Sequence, residues 1–141
     1  MTEAEARERI SAHFDARWPV EAGDVPFMLD NERTVTGDAF ASLSIRFTTG
    51  AGQLTAGPAG TRLWERRGVL YVRIWTPGDE GAAGGSALCD AARRVFEGES
   101  LYLPTAGEPV TIEAGDTQPG MTDGRWWMST VVFRFRYYQT R

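Results

Sequence analysis

The chain has no lysine at all; its fifteen basic residues are arginine. That excludes Schiff-base chemistry and a phosphate-binding loop built on lysine. There is one cysteine, Cys89, so no intrachain disulfide can form. There is one histidine, His13, and no His/Cys cluster, which removes the ligand sets of a structural zinc site. No apolar run approaches the roughly 18 residues that cross a bilayer. The segment 1–9 is charged and lacks the apolar core of a secretory signal, so the expectation is a chain that folds in a cytoplasm.

What is present is ordinary for a soluble domain. The 141 residues are 42% hydrophobic and 24% charged, with a formal net charge of −4. That length predicts a single domain over 1–141 with a core that needs no metal or disulfide staple. The acidic balance argues against a dedicated nucleic-acid binder.

The strongest strand signal is Gly68–Pro77, dense in β-branched and aromatic residues and closed by Gly and Pro. Leu70, Val72 and Ile74 fall on one face; Val69, Tyr71, Arg73 and Trp75 fall on the other. Apolar groups on both faces predict a strand well inside a sheet.

From the N-terminus, residues 2–17 predict an amphipathic helix, with Thr2 and Glu5 at capping-box spacing and Ala6, Ile10, Phe14 and Arg17 as its stripe. Pro19 is expected to stop it, with Trp18 folding over the end. Residues 19–37 read as irregular, with a short edge strand around Val25, Phe27 and Leu29. Residues 38–48 alternate as a strand, Leu43, Ile45 and Phe47 inward and Ser42, Ser44, Arg46 and Thr48 outward. Arg62–Arg67 predicts the start of a return strand.

A helix over 86–97 with Ser86 as N-cap follows, its buried stripe being Leu88, Ala91, Ala92, Val95 and Phe96 and its stop Gly98. Short strands are expected at Ser100–Leu103 and Pro109–Ala114, then a turn-rich tract, Gly115–Gly124. The last element, Arg125–Tyr138, is a strand too long for so small a domain unless it bends, bulges or projects. Flexible loops are expected near 49–61, 78–85 and 115–124.

No catalytic set can be assembled from these residues. The glycines at 78, 81, 84 and 85 match neither phosphate-loop spacing. A Cys89–His13 nucleophile pair would need two helices to meet, and no local signature supports it. The loop carboxylates show no paired spacing, and solvated turn chemistry accounts for them. No cofactor and no metal is expected.

The feature that remains is a set of arginines interleaved with aromatics: Arg62, Trp64, Arg66, Arg67, Tyr71, Arg73 and Trp75, joined by Arg134 and Arg136. Single-strand nucleic-acid binders look somewhat like this. Protein interfaces are enriched in the same residue types, and the acidic net charge favours an interface.

Several segments together carry a likeness. They are Phe14-Asp-Ala-Arg-Trp18-Pro19, Val25-Pro26-Phe27, the strand Leu43-Ser-Ile-Arg-Phe47 with its Gly-rich loop, Arg67-Gly68-Val69-Leu70 running to Trp75-Thr76-Pro77-Gly78, the helix end Val95-Phe96, and Val131-Val-Phe-Arg-Phe135. In this order they resemble the tail-terminator-like proteins of long-tailed bacteriophages and prophages.

The resemblance implies an α/β (α+β) fold, a mixed, largely antiparallel sheet with two helices on one face. It implies a homo-oligomeric ring, usually a hexamer, that caps the tail tube, stops its polymerisation and presents a surface to the head connector. Its partners would be other copies of itself, the tail-tube protein and the connector, with DNA only passing through the lumen and no membrane contact. It would act in the bacterial cytoplasm during assembly and in the virion at the head–tail junction. A head-completion or neck connector protein is the alternative, and a nucleic-acid-binding module the third.

Overall fold

The segments 40–47, 68–77 and 126–137 alternate apolar inward and polar or mixed outward, and both helices carry one apolar stripe. Such elements bury their surface by stacking helices on one side of a sheet. A computed structural model describes residues 1–29, 39–48, 52–80, 82–103 and 108–141 and shows that arrangement. In chain order the elements are α1 (Glu3–Ala22), β1 (Phe27–Met28), β2 (Phe40–Phe47), β3 (Gly52–Gln53), β4 (Leu63–Pro77), a 3-10 turn (Gly78–Glu80), α2 (Ala82–Phe96), β5 (Ser100–Leu101), β6 (Val110–Asp123) and β7 (Trp126–Thr140).

The seven strands form one sheet in the order β1-β2-β4-β7-β6-β5, with β3 on β4 beyond the end of β2. Among the described residues only β1 and β2 pair in parallel. The mixed, largely antiparallel α+β fold is therefore present. Gly68–Pro77 is central as expected, but it is half of a longer strand: β4 begins at Leu63 and pairs along its whole length with β7, Leu63 opposite Thr140 and Pro77 opposite Trp126.

Helix α1 opens with the expected capping box. The Glu5 N–H donates to Thr2 Oγ1, and the Thr2 N–H donates to the Glu5 carboxylate at 2.6 Å. The backbone hydrogen bond from Thr2, followed by its side chain, holds the Glu5 carboxyl below its ordinary pKa. A lowered folded value means this contribution is present above the unfolded pKa and is lost as pH falls through the folded one. Thr2→Ala is expected to cost about 0.5–2 kcal/mol, read as a drop in the urea midpoint at neutral pH. A smaller drop is expected at a pH low enough to protonate Glu5.

Pro19 does not stop α1. The helix runs through it to Ala22 and is capped at Gly23, whose N–H donates to the Pro19 carbonyl and whose φ is +68°. The stripe explains why: it is Ala6, Ile10, Phe14 and Trp18, at i, i+4 throughout, with Trp18 rather than Arg17 as its last member. Trp18 is fully buried, and its indole N–H donates to the Val25 carbonyl at 2.9 Å. Burial of this ring offsets the one helical hydrogen bond that proline removes.

Helix α2 starts at Ala82, so Ser86 lies inside it and is exposed rather than serving as its N-cap. Two glycines, Gly84 and Gly85, lie in its first turns. At Gly85 a Cβ would stand 2.7 Å from Ser129 Oγ, so the residue is small because β7 passes close by. Within the expected loop 78–85, Gly78–Glu80 is accordingly a 3-10 turn and 82–85 the first turn of α2, while residue 81 lies outside the described residues.

The tract 115–124 is not a loop either. It is the second half of β6, paired with β7 to a tight turn at Gly124 (φ +61°) and Arg125. Two register shifts, between Ile112 and Gly115 and between Gln118 and Met121, bulge the strand. Pro119 sits in the second bulge, where no ladder bond is lost. At Gly115 a Cβ would come 2.5 Å from the Phe133 ring, and at Gly120 2.3 Å from the Trp127 ring. These glycines make room for aromatic rings on the neighbouring strand. In the third expected loop, residues 49–51 lie outside the described residues, and Gly52–Gln53 forms β3.

Between helices and sheet lies one continuous core. Leu43, Leu70, Val72, Ile74, Val131, Phe133 and Ile112 from the sheet meet Ile10, Phe14, Trp18, Val95 and Phe96 from the helices. Polar ties hold the layers together. Glu21 accepts from both Arg17 and Arg94 at 2.8 Å. The His13 Nε2 lies 2.7 Å from the Val95 carbonyl, joining α1 to α2. The Arg93 Nη2 donates to Thr117 Oγ1 at 2.6 Å, and Glu97 accepts from the Gly115 N–H, so α2 pins the bulged part of β6.

Candidate functional site

The helices cover one side of the sheet. On the other side the register aligns residues into rows across the strands. One row is Arg46, Val69, Arg134; the next is Ser44, Tyr71, Val132, Asp116; the next Ser42, Arg73, Thr130, Gln118; the last Phe40, Trp75, Met128, Met121. Arg67 and Arg136 pair beyond the first row.

This face is half wet and half aromatic. At one end Phe40 stacks on Trp75 at 4.8 Å and meets the edge of Trp126 at 5.2 Å. In the middle the Tyr71 ring is flanked by two guanidinium groups, Arg46 at 5.6 Å and Arg73 at 5.4 Å. Such cation–π contacts keep the arginines extended over the sheet. At the other end Arg134 and Arg136 are exposed, and neither has a carboxylate partner among the described residues. Arg67 pairs with Glu65 on the same face.

The arginine–aromatic set read from the sequence is thus split. Arg67, Tyr71, Arg73, Trp75, Arg134 and Arg136 share the open face. Trp64 and Arg66 point to the opposite side, since even-numbered residues of β4 share the side of Leu70. There Arg66 lies over the Trp64 ring at 5.3 Å and donates to Gln139 Oε1. Arg62 precedes β4 and donates to the Gly57 carbonyl at 2.6 Å, tying its own loop.

Arg46, Phe40 and Trp126 belong to the open face and were not in the set. Arg46 was legible as an outward residue of its strand. Its place beside Val69 and Arg134 needed the strand order.

Where β4 ends, a cleft of about 650 Å³ opens between Pro77 and Asp79 on one side and Arg125, Trp126 and Trp127 of the β6–β7 turn on the other. It offers one carboxylate, one guanidinium and two indoles, which suits a binding groove and supplies no nucleophile–base pair. Among the described residues no group of three or more His, Cys, Asp or Glu is placed to hold a metal ion. No helix among them is long and apolar enough to cross a membrane.

His13 and Cys89 do not form a reactive pair. His13 is engaged with Val95 and stands 5.8 Å from the Phe96 ring, whereas Cys89 is buried beside the Ser129 hydroxyl. Burial pushes the Cys89 thiol up, and burial likewise pushes up the Tyr137 phenol. Raised folded values keep both groups protonated in the native state, so stability is full below their unfolded pKa values and falls as pH rises past them. The denaturation midpoint is expected to decline above about pH 9. Tyr137→Phe should flatten the upper part of that decline, and Cys89 should resist alkylation until the protein is unfolded.

No protein-family model matches the chain, and no curated protein matches its sequence. Solved structures do match its fold. One, whose name states no activity, superposes with a TM-score of 0.67 and 12% identity over 96% of both chains. Another is a chain from the virion of a native gene transfer agent particle, with a TM-score of 0.56 and 16% identity over 96% of this chain and 97% of that one.

Proposed function

We propose that the chain is a structural assembly protein of a phage-like particle, and specifically a tail terminator. In this reading its copies form a ring, a hexamer, that caps the tail tube, halts its growth and offers the head connector a docking surface. The observation that carries the reading is the end-to-end match in fold with a chain of a gene transfer agent virion, 96% of one on 97% of the other.

The molecule's surfaces agree with it. An assembly subunit needs a recognition face rather than a reactive pocket, and the open sheet face offers arginine, tyrosine and tryptophan, the residue types that dominate interface energetics. The proposed partners are other copies of the chain, the tail-tube protein and the connector. The proposed location is the bacterial cytoplasm during assembly and the head–tail junction of the finished particle. DNA would pass the lumen without being held.

Native mass spectrometry of the purified protein, alone and with tail-tube subunits, tests this reading. A closed ring whose population grows with protein concentration or on adding tube subunits is expected. A chain that stays monomeric in both conditions would refute it. A ring that binds the connector and ignores tube ends would assign the chain to head completion instead.

A further inference from the structure

The outward face of α1 is acidic although the helix carries three arginines. Arg9 donates to the Tyr102 carbonyl at 2.8 Å, Arg17 to Glu21 at 2.8 Å, and Arg7 lies over the Phe47 ring at 5.2 Å. All three are drawn aside to neighbours in the fold. The exposed residues of α1 are Glu3, Ala4, Glu8, Ala12, Asp15, Ala16, Pro19 and Val20, and of these Glu8, Ala12, Asp15, Ala16 and Pro19 lie on the side opposite the core stripe. Glu8 and Asp15 have no cationic partner among the described residues. The α1 stripe at Ala6, Ile10, Phe14 and Trp18 faces the core, so this acidic strip faces away from it. The basic, open face of the sheet looks the other way.

The two surfaces also match in spacing. Glu8 and Asp15 are seven residues apart, about 10.5 Å along the helix. Arg46 and Arg134 flank Val69 in one cross-strand row, two strand spacings or about 9.5 Å apart. Ala12 and Ala16 let the helix backbone approach the sheet closely, and Val69, Tyr71 and Val132 offer apolar contact between the arginines.

We propose that the open sheet face of one copy seats the outward face of α1 of a second copy, with Glu8 and Asp15 against Arg46 and Arg134. The contact joins two different surfaces, so each copy uses both. Repeating it produces a head-to-tail chain that closes into a ring when the rotation allows. The inference rests on the ring-forming reading above and names the surfaces that make the ring. A single-stranded nucleic acid would also suit arginines beside aromatics. The second copy is favoured because the chain supplies its own acidic counterpart and carries a net charge of −4.

Charge exchange tests it, because all four side chains are exposed. In Arg46→Glu/Arg134→Glu both surfaces are acidic; in Glu8→Arg/Asp15→Arg both are basic. Each variant alone should need at least tenfold higher concentration to assemble, by light scattering, with an unchanged circular dichroism spectrum. An equimolar mixture should recover assembly, as rings in which the variants alternate.

If Arg46→Glu/Arg134→Glu does not fold, Arg46→Gln/Arg134→Gln should show the same loss in weaker form. Variants that assemble like the wild type, or a mixture that does not recover, would overturn the contact while leaving the ring reading in place. A wild-type chain that never assembles removes the ring reading with no charge altered. Salt-dependent binding of a labelled oligonucleotide, lost in Arg46→Glu/Arg134→Glu while assembly persists, would assign the face to nucleic acid and overturn the proposal.

Discussion

Phe14→Ala is expected to cost about 3–5 kcal/mol of folding stability. Phe14 is fully buried at the meeting point of three elements. Its ring stacks with Trp18 at 5.2 Å and with Phe96 of α2 at 5.7 Å, and it meets the edge of Phe27 in β1 at 5.0 Å. Truncation removes the transfer free energy of the ring and leaves a cavity among partners that are themselves aromatic and stiff. Two of those partners belong to other elements, so the void cannot close by a shift of α1 alone. Phe14→Leu keeps most of the volume and should lose less. Urea denaturation reads both; a loss below about 1 kcal/mol for Phe14→Ala would contradict the packing described.

Gly68→Val should rank beside it, for the opposite reason. Gly68 is buried in β4 between Phe47 of β2 and Phe135 of β7. A Cβ there would lie 2.2 Å from the Phe135 ring and 2.5 Å from the Arg46 carbonyl oxygen. The ring could turn only against Phe47 and Tyr137, which pack on it. The carbonyl is backbone and cannot move without displacing β2. Overpacking of this kind typically costs about 1–3 kcal/mol, and valine adds two methyl groups to the clash. A lowered melting temperature together with line broadening confined to residues of β2, β4 and β7 is expected. A variant as stable as the wild type would mean that Phe135 does not lie over Gly68.

The two substitutions also show where sequence reading succeeds and where it stops. The Phe14 stripe was visible because i, i+4 periodicity is local. So were the capping box, the central strand and the inward alternation of β2. Gly68 was read as a strand boundary, and Gly115 and Gly120 as turn residues, because a glycine's local signal is conformational freedom. Their role in this fold is room for Phe135, Phe133 and Trp127, which lie on a strand far away in sequence. Pro19 was read as a stop because its missing N–H is a local fact, whereas the burial of Trp18 that carries the helix past it is a tertiary one.

The candidate site divides the same way. Alternation placed Tyr71, Arg73 and Trp75 on one face of β4 correctly. The arginine–aromatic set looked continuous because Arg66 and Arg67 are neighbours in sequence, yet adjacent residues of a strand face opposite sides. That parity moves Trp64 and Arg66 off the open face. Arg46, Phe40 and Trp126 joined it only once β2 and β7 were known to flank β4, and strand order is set by long-range pairing that no local window contains. The masking of the α1 arginines is likewise tertiary: Arg9 is turned aside by Tyr102, a residue 93 positions away.

The role proposed for this chain is to end the growth of a tail tube. Electron microscopy of tube length tests it most directly. Tail-tube subunits are allowed to polymerise with and without the protein at a stoichiometry of a few rings per tube end. Tubes formed in its presence are expected to be shorter, to stop lengthening, and to carry a ring-shaped density at one end. An unchanged length distribution with bare ends, from protein shown to be folded, would contradict it.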